Sequence, residues 1–372
     1  MELSYWEKKT WLTNIDFAVI GSGIVGLSCA LRLRAQHPKA KIVVFERGAL
    51  PQGASTKNAG FACFGSMSEI LDDLNHHTED EVLALIQHRV EGLRQLRALL
   101  GDTNLDYQAH GGYELFLKQD QQTFNYCRDK MTYVNALIAE TLQGETFQLK
   151  ENTFGYRGIH EQLIFNQHEG QIDTGKMMQA LVQLAQRQSI LILNSVTLED
   201  FEQGNENVHL KFNAFETSCK KLFIATNGFS STLLEEDISP NRAQVLITAP
   251  IPNLPIEGTF HLDRGYYYFR NIDNRILLGG GRNLDFKTEQ TASFGLNTKI
   301  QNELERLLSE VILSGQEYTI AQRWTGILGL GKKKKSIVKA VSEDVYCGIR
   351  LGGMGVAIGC SIGNQLADIS LK

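Results

Sequence analysis

Three glycines and one acid carry the most specific chemistry in this sequence. Gly21, Gly23 and Gly26 stand in G-x-G-x-x-G spacing, and Glu46 follows about 20 residues on. The first glycine permits a tight turn, the second lets backbone approach a pyrophosphate, and the third lets a helix lie close on a strand. A helix opening there offers free N–H groups to phosphates, and an acid placed like Glu46 can accept from ribose hydroxyls. A purely structural glycine turn has the same spacing, so the neighbouring elements must decide. Ile15–Ile20 is a mostly apolar run suited to a strand buried on both faces of a parallel sheet. An apolar helix extends to about Arg34 and ends at His37-Pro38, because proline cannot continue the hydrogen-bond ladder. Ile42–Phe45 reads as the next strand, with Glu46 at its carboxyl end. The succession is that of a dinucleotide-binding unit.

A second glycine turn lies far along the chain. Val345–Ile349 reads as a buried strand, followed by Arg350, Gly352-Gly353-Met354-Gly355 and a final helix. A nicotinamide site is already complete without it, and such enzymes usually keep their catalytic groups in a second, contiguous domain. A flavin has a use for it. When flavin accepts a hydride at N5, negative charge gathers at N1 and C2=O, where a helix N-terminus stabilises it. Gly353 and Gly355 would let backbone approach the ring without side-chain interference. A plain helix start at a glycine-rich corner is the competing reading.

Other segments must position these turns. Tyr5, Trp6 and Trp11 suggest a short N-terminal arm packed on the domain, with a frayed terminus as the alternative. Thr78-x-x-Glu81 is a capping box opening a helix that turns Val82, Leu85, Leu93, Leu96 and Leu100 inward and stops at Gly101. Gly112–Leu117 reads as a strand and Gln121–Leu142 as an amphipathic helix. Gln171–Gln186 is a helix with Asp173 as N-cap and an apolar face of Met177, Ala180, Leu181 and Leu184. Ile190–Leu198, Val208–Phe215 and Lys221–Ala225 are strand-like, and Thr226-Asn227-Gly228 makes a turn. Ala243–Ala249, Tyr266–Arg270 and Arg275–Gly279 are strands, with Asp273-Asn274 supplying hairpin turn chemistry. Thr298–Leu313 is an amphipathic helix and Tyr318–Trp324 alternates as a strand.

Composition narrows the class. The 372 residues allow one large domain or two interlocked ones. Hydrophobic content of 42%, charged content of 21% and a formal net charge of −5 give no global preference for nucleic acid or acidic lipid. No apolar run approaches the roughly 20 residues that span a bilayer, and the N-terminus shows no signal-peptide pattern. The six cysteines (Cys29, Cys63, Cys127, Cys219, Cys347, Cys360) form no C-x-x-C and read as reduced thiols in a cytoplasmic chain. His76 and His77 are adjacent and point apart, so no metal site is expected.

The pieces resemble the D-amino-acid oxidase family of FAD-dependent oxidoreductases, which includes glycine, sarcosine and D-amino-acid oxidases and dehydrogenases. The resemblance is carried by IDFAVIGSGIVGLSCALRL with VVFERG, by GASTKNAGF, and by IDTGKMMQALVQLA with SVTLEDF and LFIATNGFSS. It continues through YYYFRNIDNRILLGGGR, WTGILGL and GGMGVAIGCSIGNQLAD. It covers most of the chain in family order, missing mainly residues 70–150. The fold implied is α/β: a Rossmann-like FAD-binding domain assembled from residues 1–75, 155–240 and 318–372. Residues 76–154 and 241–317 would form an inserted α+β substrate domain with a mainly antiparallel sheet.

The resemblance also implies roles. With Gly21 and Gly26 shaping the turn, Ser22, Gly23, Ile24 and Val25 would line the pyrophosphate. Glu46 would hold the ribose, with Arg47 beside the adenine. Ser55, Thr56, Lys57, Asn58 and Gly60 would run along the pyrophosphate, ribityl chain and ring edge. Val196 would offer its backbone to the adenine, and Thr226 and Gly228 would sit near the adenosine half. Gly353, Met354, Gly355 and Val356 would close over N1 and C2=O. The hairpin Tyr266–Gly281 would roof the substrate face, making Tyr268, Arg270 and Arg282 its polar candidates, with Arg323 and Arg350 as further arginines.

Three departures from the family pattern matter. The arginine that grips a substrate carboxylate after the W-x-G motif aligns with Leu328. No lysine stands in Ile276-Leu277-Leu278-Gly279, where some sarcosine-type oxidases place one for oxygen activation. No cysteine lies between Arg323 and Lys335, so FAD is expected to be non-covalent. Lys332–Lys335 is an unusual run, read as a solvated turn or as an anion-steering rim. The implied activity is dehydrogenation of a C–N bond in a small amine or amino acid by hydride transfer to flavin N5. A 2-hydroxy-acid dehydrogenase and a non-catalytic flavin-binding protein are the alternatives, and the electron acceptor is open.

Overall fold

The computed structural model describes residues 2–371. Its first sheet is built from the apolar runs named above. Strands Val345–Ile349, Glu216–Ile224, Ile15–Ile20, Ile42–Phe45 and Leu191–Leu193 lie side by side in that order, all parallel. Ile337–Ala340 joins antiparallel at one edge. Phe17, Val19, Ile42 and Val44 turn to one face, where helices pack; Ala18, Ile20, Val43 and Phe45 turn to the other, covered by the antiparallel strands Leu198–Gln203 and Val208–Phe212. This is the alternation a strand buried on both sides requires.

Helix Ile24–Gln36 is buried nearly all round because it is sandwiched between this sheet and the final helix, Gly355–Asp368. The contact relies on small residues. A Cβ on Gly363 would sit 2.5 Å from the Val25 carbonyl oxygen, and one on Gly359 would sit 2.8 Å from Ile24 Cγ2. The N-terminal end of the first helix is therefore pressed against the second and third turns of the last one.

The second sheet runs Ile320–Leu330, Ser239–Thr248, Arg275–Gly280, Tyr267–Ile272, Thr259–Leu262, Gly112–Leu115, Gln162–Asn166 and Phe147–Glu151. Every pairing is antiparallel except Thr259–Leu262 with Gly112–Leu115. The sequence boundaries assign Gln162–Asn166 and Ile320–Leu330 to the nucleotide domain; in the structure both strands hydrogen-bond into this second sheet. Asp273 and Asn274 have φ of 49° and 55°, the left-handed pair that a two-residue hairpin turn requires. Helix Thr298–Leu307 covers the outer face over Phe260, Phe269 and Leu278.

Several local expectations shift. Tyr5–Trp11 is a helix with a complete Ser4–Glu7 capping box, but Tyr5, Trp6 and Trp11 are exposed, with Tyr5 and Trp6 packed edge to face on each other. The helix after Thr78 runs Glu79–Leu100 as expected, with Ile86 rather than Leu85 fully buried. Gln121–Leu142 is helical only to Ile138. Ile190–Leu198 breaks in two because Ser195 takes φ of 61°, letting Ser195 and Val196 donate to the carbonyls of Gly48 and Glu46. The strand around Trp324 extends to Leu330.

Candidate cofactor cleft and substrate face

The two glycine turns open on one cleft, which encloses about 1200 Å³ of atom-free space counting its open mouth. Its lining includes Gly21, Gly23, Ile24, Val25, Glu46, Arg47, Ser55, Asn58, Val196, Thr226, Gly353, Gly355 and Val356. These residues come from segments spread over the whole chain. Ser22, Gly26, Thr56, Lys57, Gly60, Gly228 and Met354 are not part of that lining. Gly26 packs under the turn, where a Cβ would meet the Gly21 carbonyl oxygen at 1.9 Å. Gly228 likewise admits the Leu328 carbonyl of the second sheet, 2.5 Å from where its Cβ would lie.

Both helices turn their N-termini toward the cleft. Gly23 and Met354, at the N-cap positions, offer no side-chain acceptor. At the first helix the Ile24 N–H is taken by Ser55 Oγ at 3.0 Å, so a hydroxyl stands where an anion's oxygen belongs. At the second, Gly352 and Gly353 have nothing within 4 Å of a built Cβ. Glu46 is 5% exposed. One carboxylate oxygen accepts from the Ser22 N–H at 3.1 Å and hydroxyl at 2.8 Å, the other from the N–H groups of Gly48 at 2.9 Å and Gln52 at 3.4 Å. Arg47 stacks on Phe229, its guanidinium carbon 3.5 Å from the ring centroid, and closes one end of the cleft.

The loop between the turns is braced internally. Asn58 Nδ2 donates to the carbonyls of Ala54 and Ser55, while its Oδ1 accepts from the Gly60 N–H and the Thr174 hydroxyl. Trp324 Nε1 donates to the Lys57 carbonyl at 3.0 Å, fastening the loop to the second sheet. Asn227 does the same for the late glycine turn, accepting from the N–H groups of Arg350 at 3.0 Å and Leu351 at 3.2 Å. Asn227 and Phe229 were not singled out from sequence. Asn227 lies inside the recognised turn, yet its partner strand is over 100 residues away, so spacing carried no signal for its role.

Tyr268 lies flat over Gly279, where a Cβ would come within 2.6 Å of its ring, and its ring edge meets Phe61 at a centroid distance of 5.6 Å. Burial pushes its hydroxyl up to about 12. With Ala59, Val245, Leu277 and Trp324 it forms an apolar surface on the side of the second sheet that meets the cofactor loop.

The arginines do not converge there. Arg270 is 3% exposed and bolts two backbones together through Nη1, to the carbonyls of Gly60 at 3.1 Å and Ile172 at 2.7 Å. Burial without a bonded carboxylate lowers its guanidinium to about 10. Arg323 points to the opposite face from Trp324 and binds Gln301 and Glu305. Arg350, at φ of 62°, is held by Asp237 and the Lys335 carbonyl. Arg282 lies over Phe286. The lysine run is an exposed turn, with Lys334 paired to Asp73 and the Lys332 N–H donating to Asp237. A wider concavity beside the N-terminal arm is lined by residues of both charge signs, among them Lys8, Asp200, Glu202 and Lys211, and contains neither glycine turn.

The cleft fits a flavin dinucleotide: two helix N-termini, one open and one held by a single serine hydroxyl, an acid at the end of the second strand and glycine-only approaches lie along one continuous surface. Solved structures share this architecture at low identity. Glycine oxidase from Geobacillus kaustophilus is 16% identical with a TM-score of 0.75, covering 96% of this chain and 94% of its own. L-proline dehydrogenase from P. horikoshii is 15% identical with a TM-score of 0.74, covering 96% and 93%. Iminodiacetate oxidase from Chelativorans sp. BNC1 is 16% identical with a TM-score of 0.74, covering 95% and 95%. No curated protein sequence matches the chain. The family model for FAD dependent oxidoreductases matches residues 16–369, nearly end to end, and the chain belongs to that family.

Proposed function

We propose that this FAD-dependent enzyme dehydrogenates the C–N bond of a small amine or amino acid, releasing an imine that hydrolyses. The observation that carries the reading is the uncapped N-terminus of Gly355–Asp368, which opens on the same cleft as the nucleotide turn. FAD, when bound, supplies the two-electron acceptor. The helix start at Gly353, Met354, Gly355 and Val356 would stabilise negative charge on the reduced ring through its free N–H groups and its dipole. Ser22, Gly23, Ile24 and Val25, with the Ser55 hydroxyl now bonded to the Ile24 N–H, would hold the pyrophosphate. Glu46, at the end of the second strand, would accept from the ribose. Val196 and the Arg47–Phe229 stack flank the adenine, with Thr226 and Gly228 beside the adenosine half. The loop containing Thr56, Lys57, Asn58 and Gly60 carries the ribityl side.

The apolar surface around Tyr268 would exclude water and orient the substrate, so that orientation rather than a dedicated base does the work. Support for a C–N substrate comes from the similar structures, named for glycine, L-proline and iminodiacetate. Arg323 and Arg350 are paired with Glu305 and Asp237, and Arg270 with two backbone carbonyls. Of the four candidates Arg282, lying over Phe286 with no hydrogen-bonded partner among the described residues, is the one left to clamp a substrate carboxylate. All six cysteines are free and buried, which supports a cytoplasmic setting. As for crossing a membrane, no helix among the described residues is long and apolar enough.

Anaerobic mixing of the FAD-loaded enzyme with primary and secondary amines, D-amino acids, N-methyl amino acids and 2-hydroxy acids tests this reading. At least one C–N class is expected to bleach the flavin absorbance. Bleaching by hydroxy acids alone, or by no member of the panel, would overturn it.

A further inference from the structure

Outside the cofactor cleft, three buried donor groups meet at the junction of the two sheets. Cys63 follows the short strand Phe61–Ala62, and Glu169 precedes Gly170–Gln171, which pairs with it. His261 lies in Thr259–Leu262 of the second sheet. One ligand atom from each residue lies within 4.8 Å of the others. Exposure is 8% at Cys63, 1% at Glu169 and 5% at His261.

The surroundings hold these groups in place. Glu169 Oε2 is 2.9 Å from His261 Nε2 and accepts from Thr259 Oγ1 at 3.0 Å, while Oε1 accepts from Asn166 Nδ2 at 3.3 Å. Glu114, opposite His261 in the sheet register, is separately satisfied by the hydroxyls of Ser66 and Ser68. Phe61 closes the site from the cofactor side, its ring centroid 5.2 Å from that of His261.

A thiol, an imidazole and a carboxylate from three separate elements are a zinc-type donor set. Ligands about 2.0–2.3 Å from one ion sit roughly 3–4 Å apart, so a separation of up to 4.8 Å closes by about 1–2 Å while the Glu169–His261 pair, now 2.9 Å apart, opens slightly. Charge also balances. A thiolate and a carboxylate neutralise a divalent ion, with imidazole as a neutral third ligand, in a region where uncompensated charge is costly. Thr259 and Asn166 then act as the outer groups that orient a ligating carboxylate.

We propose that Cys63, Glu169 and His261 form a binding site for a zinc-type divalent cation that ties the segment after Phe61–Ala62 to the second sheet. On binding, two protons leave to solvent: the Cys63 S–H proton as the sulfur–metal bond forms, and the proton His261 holds against Glu169, so that His261 binds as the neutral ring beside an ionised carboxylate. The expectation of no metal site rested on His76, His77 and cysteine spacing. These ligands are too far apart in sequence for any spacing motif to reveal them.

The test uses the FAD-loaded enzyme, offered zinc or cobalt chloride, dialysed, and assayed for metal by elemental mass spectrometry against flavin content. The wild type is expected to retain about one ion per chain. Cys63→Ser, which keeps the side-chain volume, is expected to hold the ion at least about tenfold more weakly, a loss of roughly 1.4 kcal/mol. Its retained flavin would report an intact fold. The cobalt-loaded wild type should also show a thiolate-to-cobalt band in the difference spectrum, absent from Cys63→Ser. Less than about a tenth of an ion per wild-type chain, or equal retention by the folded variant, would overturn the site and leave a simple Glu169–His261 pair.

Discussion

Gly23→Val is expected to yield a folded protein that purifies without FAD. Gly23 has φ of −75° and ψ of −176°, extended backbone open to any residue, so the substitution strains nothing by itself. Its Cβ would point toward the cleft, 2.8 Å from Ser55 Oγ and 3.7 Å from Ser55 Cβ. That is the space into which the proposed pyrophosphate must come to reach the N–H groups of the first helix. The neighbouring glycines would not isolate this effect. Gly21 has φ of 102°, and Gly26 lies too close to the Gly21 carbonyl for any side chain, so changes there break the fold as well. Affinity for FAD in Gly23→Val should fall at least about 100-fold, or roughly 2.7 kcal/mol, measured by flavin release and by titration of the apoprotein. Circular dichroism should stay unchanged. A full complement of tightly held FAD would refute the pyrophosphate assignment.

Glu289→Ala is expected to cost stability far from the cleft. Glu289 is fully buried and accepts from Arg242 Nε at 2.9 Å and Nη2 at 2.8 Å, from Gln244 Nε2 at 2.9 Å and from Asn297 Nδ2 at 2.9 Å. Removing it strands the Arg242 guanidinium, itself buried, at a cost of about 3–5 kcal/mol. Thermal unfolding should drop by several degrees, while the double replacement Arg242→Met with Glu289→Leu should recover much of the loss. The pH dependence follows. Burial alone would raise the Glu289 carboxyl, but the hydrogen bonds from Arg242, Gln244 and Asn297 hold it below its ordinary value. The contribution is therefore complete above the unfolded value of about 4.3 and is lost as pH falls through the lower folded value. Unchanged melting in Glu289→Ala would show that the pair is not the fastening it resembles.

The elements nearest the cofactor were the most legible from sequence, for a physical reason. Ile15–Ile20, Ile42–Phe45 and Val345–Ile349 are apolar runs bounded by turn residues, and a strand buried on both faces leaves little freedom in where it begins and ends. Thr78 and Asp173 announced their helices because a cap is a local hydrogen bond. What escaped depends on contacts across the sequence. Ile190–Leu198 reads as one apolar strand, but it bends at Ser195 to meet Glu46 and Gly48. The arginines are polar and near the right hairpin, yet Glu305 and Asp237, which hold Arg323 and Arg350, are visible only once the chain has folded. Cys63, Glu169 and His261 are brought together by a two-stranded ribbon and a sheet register, neither of which has a local signature.

The central claim is that two glycine turns, at Gly21–Gly26 and Gly352–Gly355, grip opposite ends of one FAD. A crystal structure of the FAD-loaded protein tests it most directly. The pyrophosphate should lie against residues 22–25, the ribose at Glu46, and the N1 and C2=O edge of the ring at Gly353–Val356, with the other side of the ring toward Tyr268 and Leu277. A flavin ring located away from Gly353–Val356, or a dinucleotide running in the opposite direction, would contradict the account.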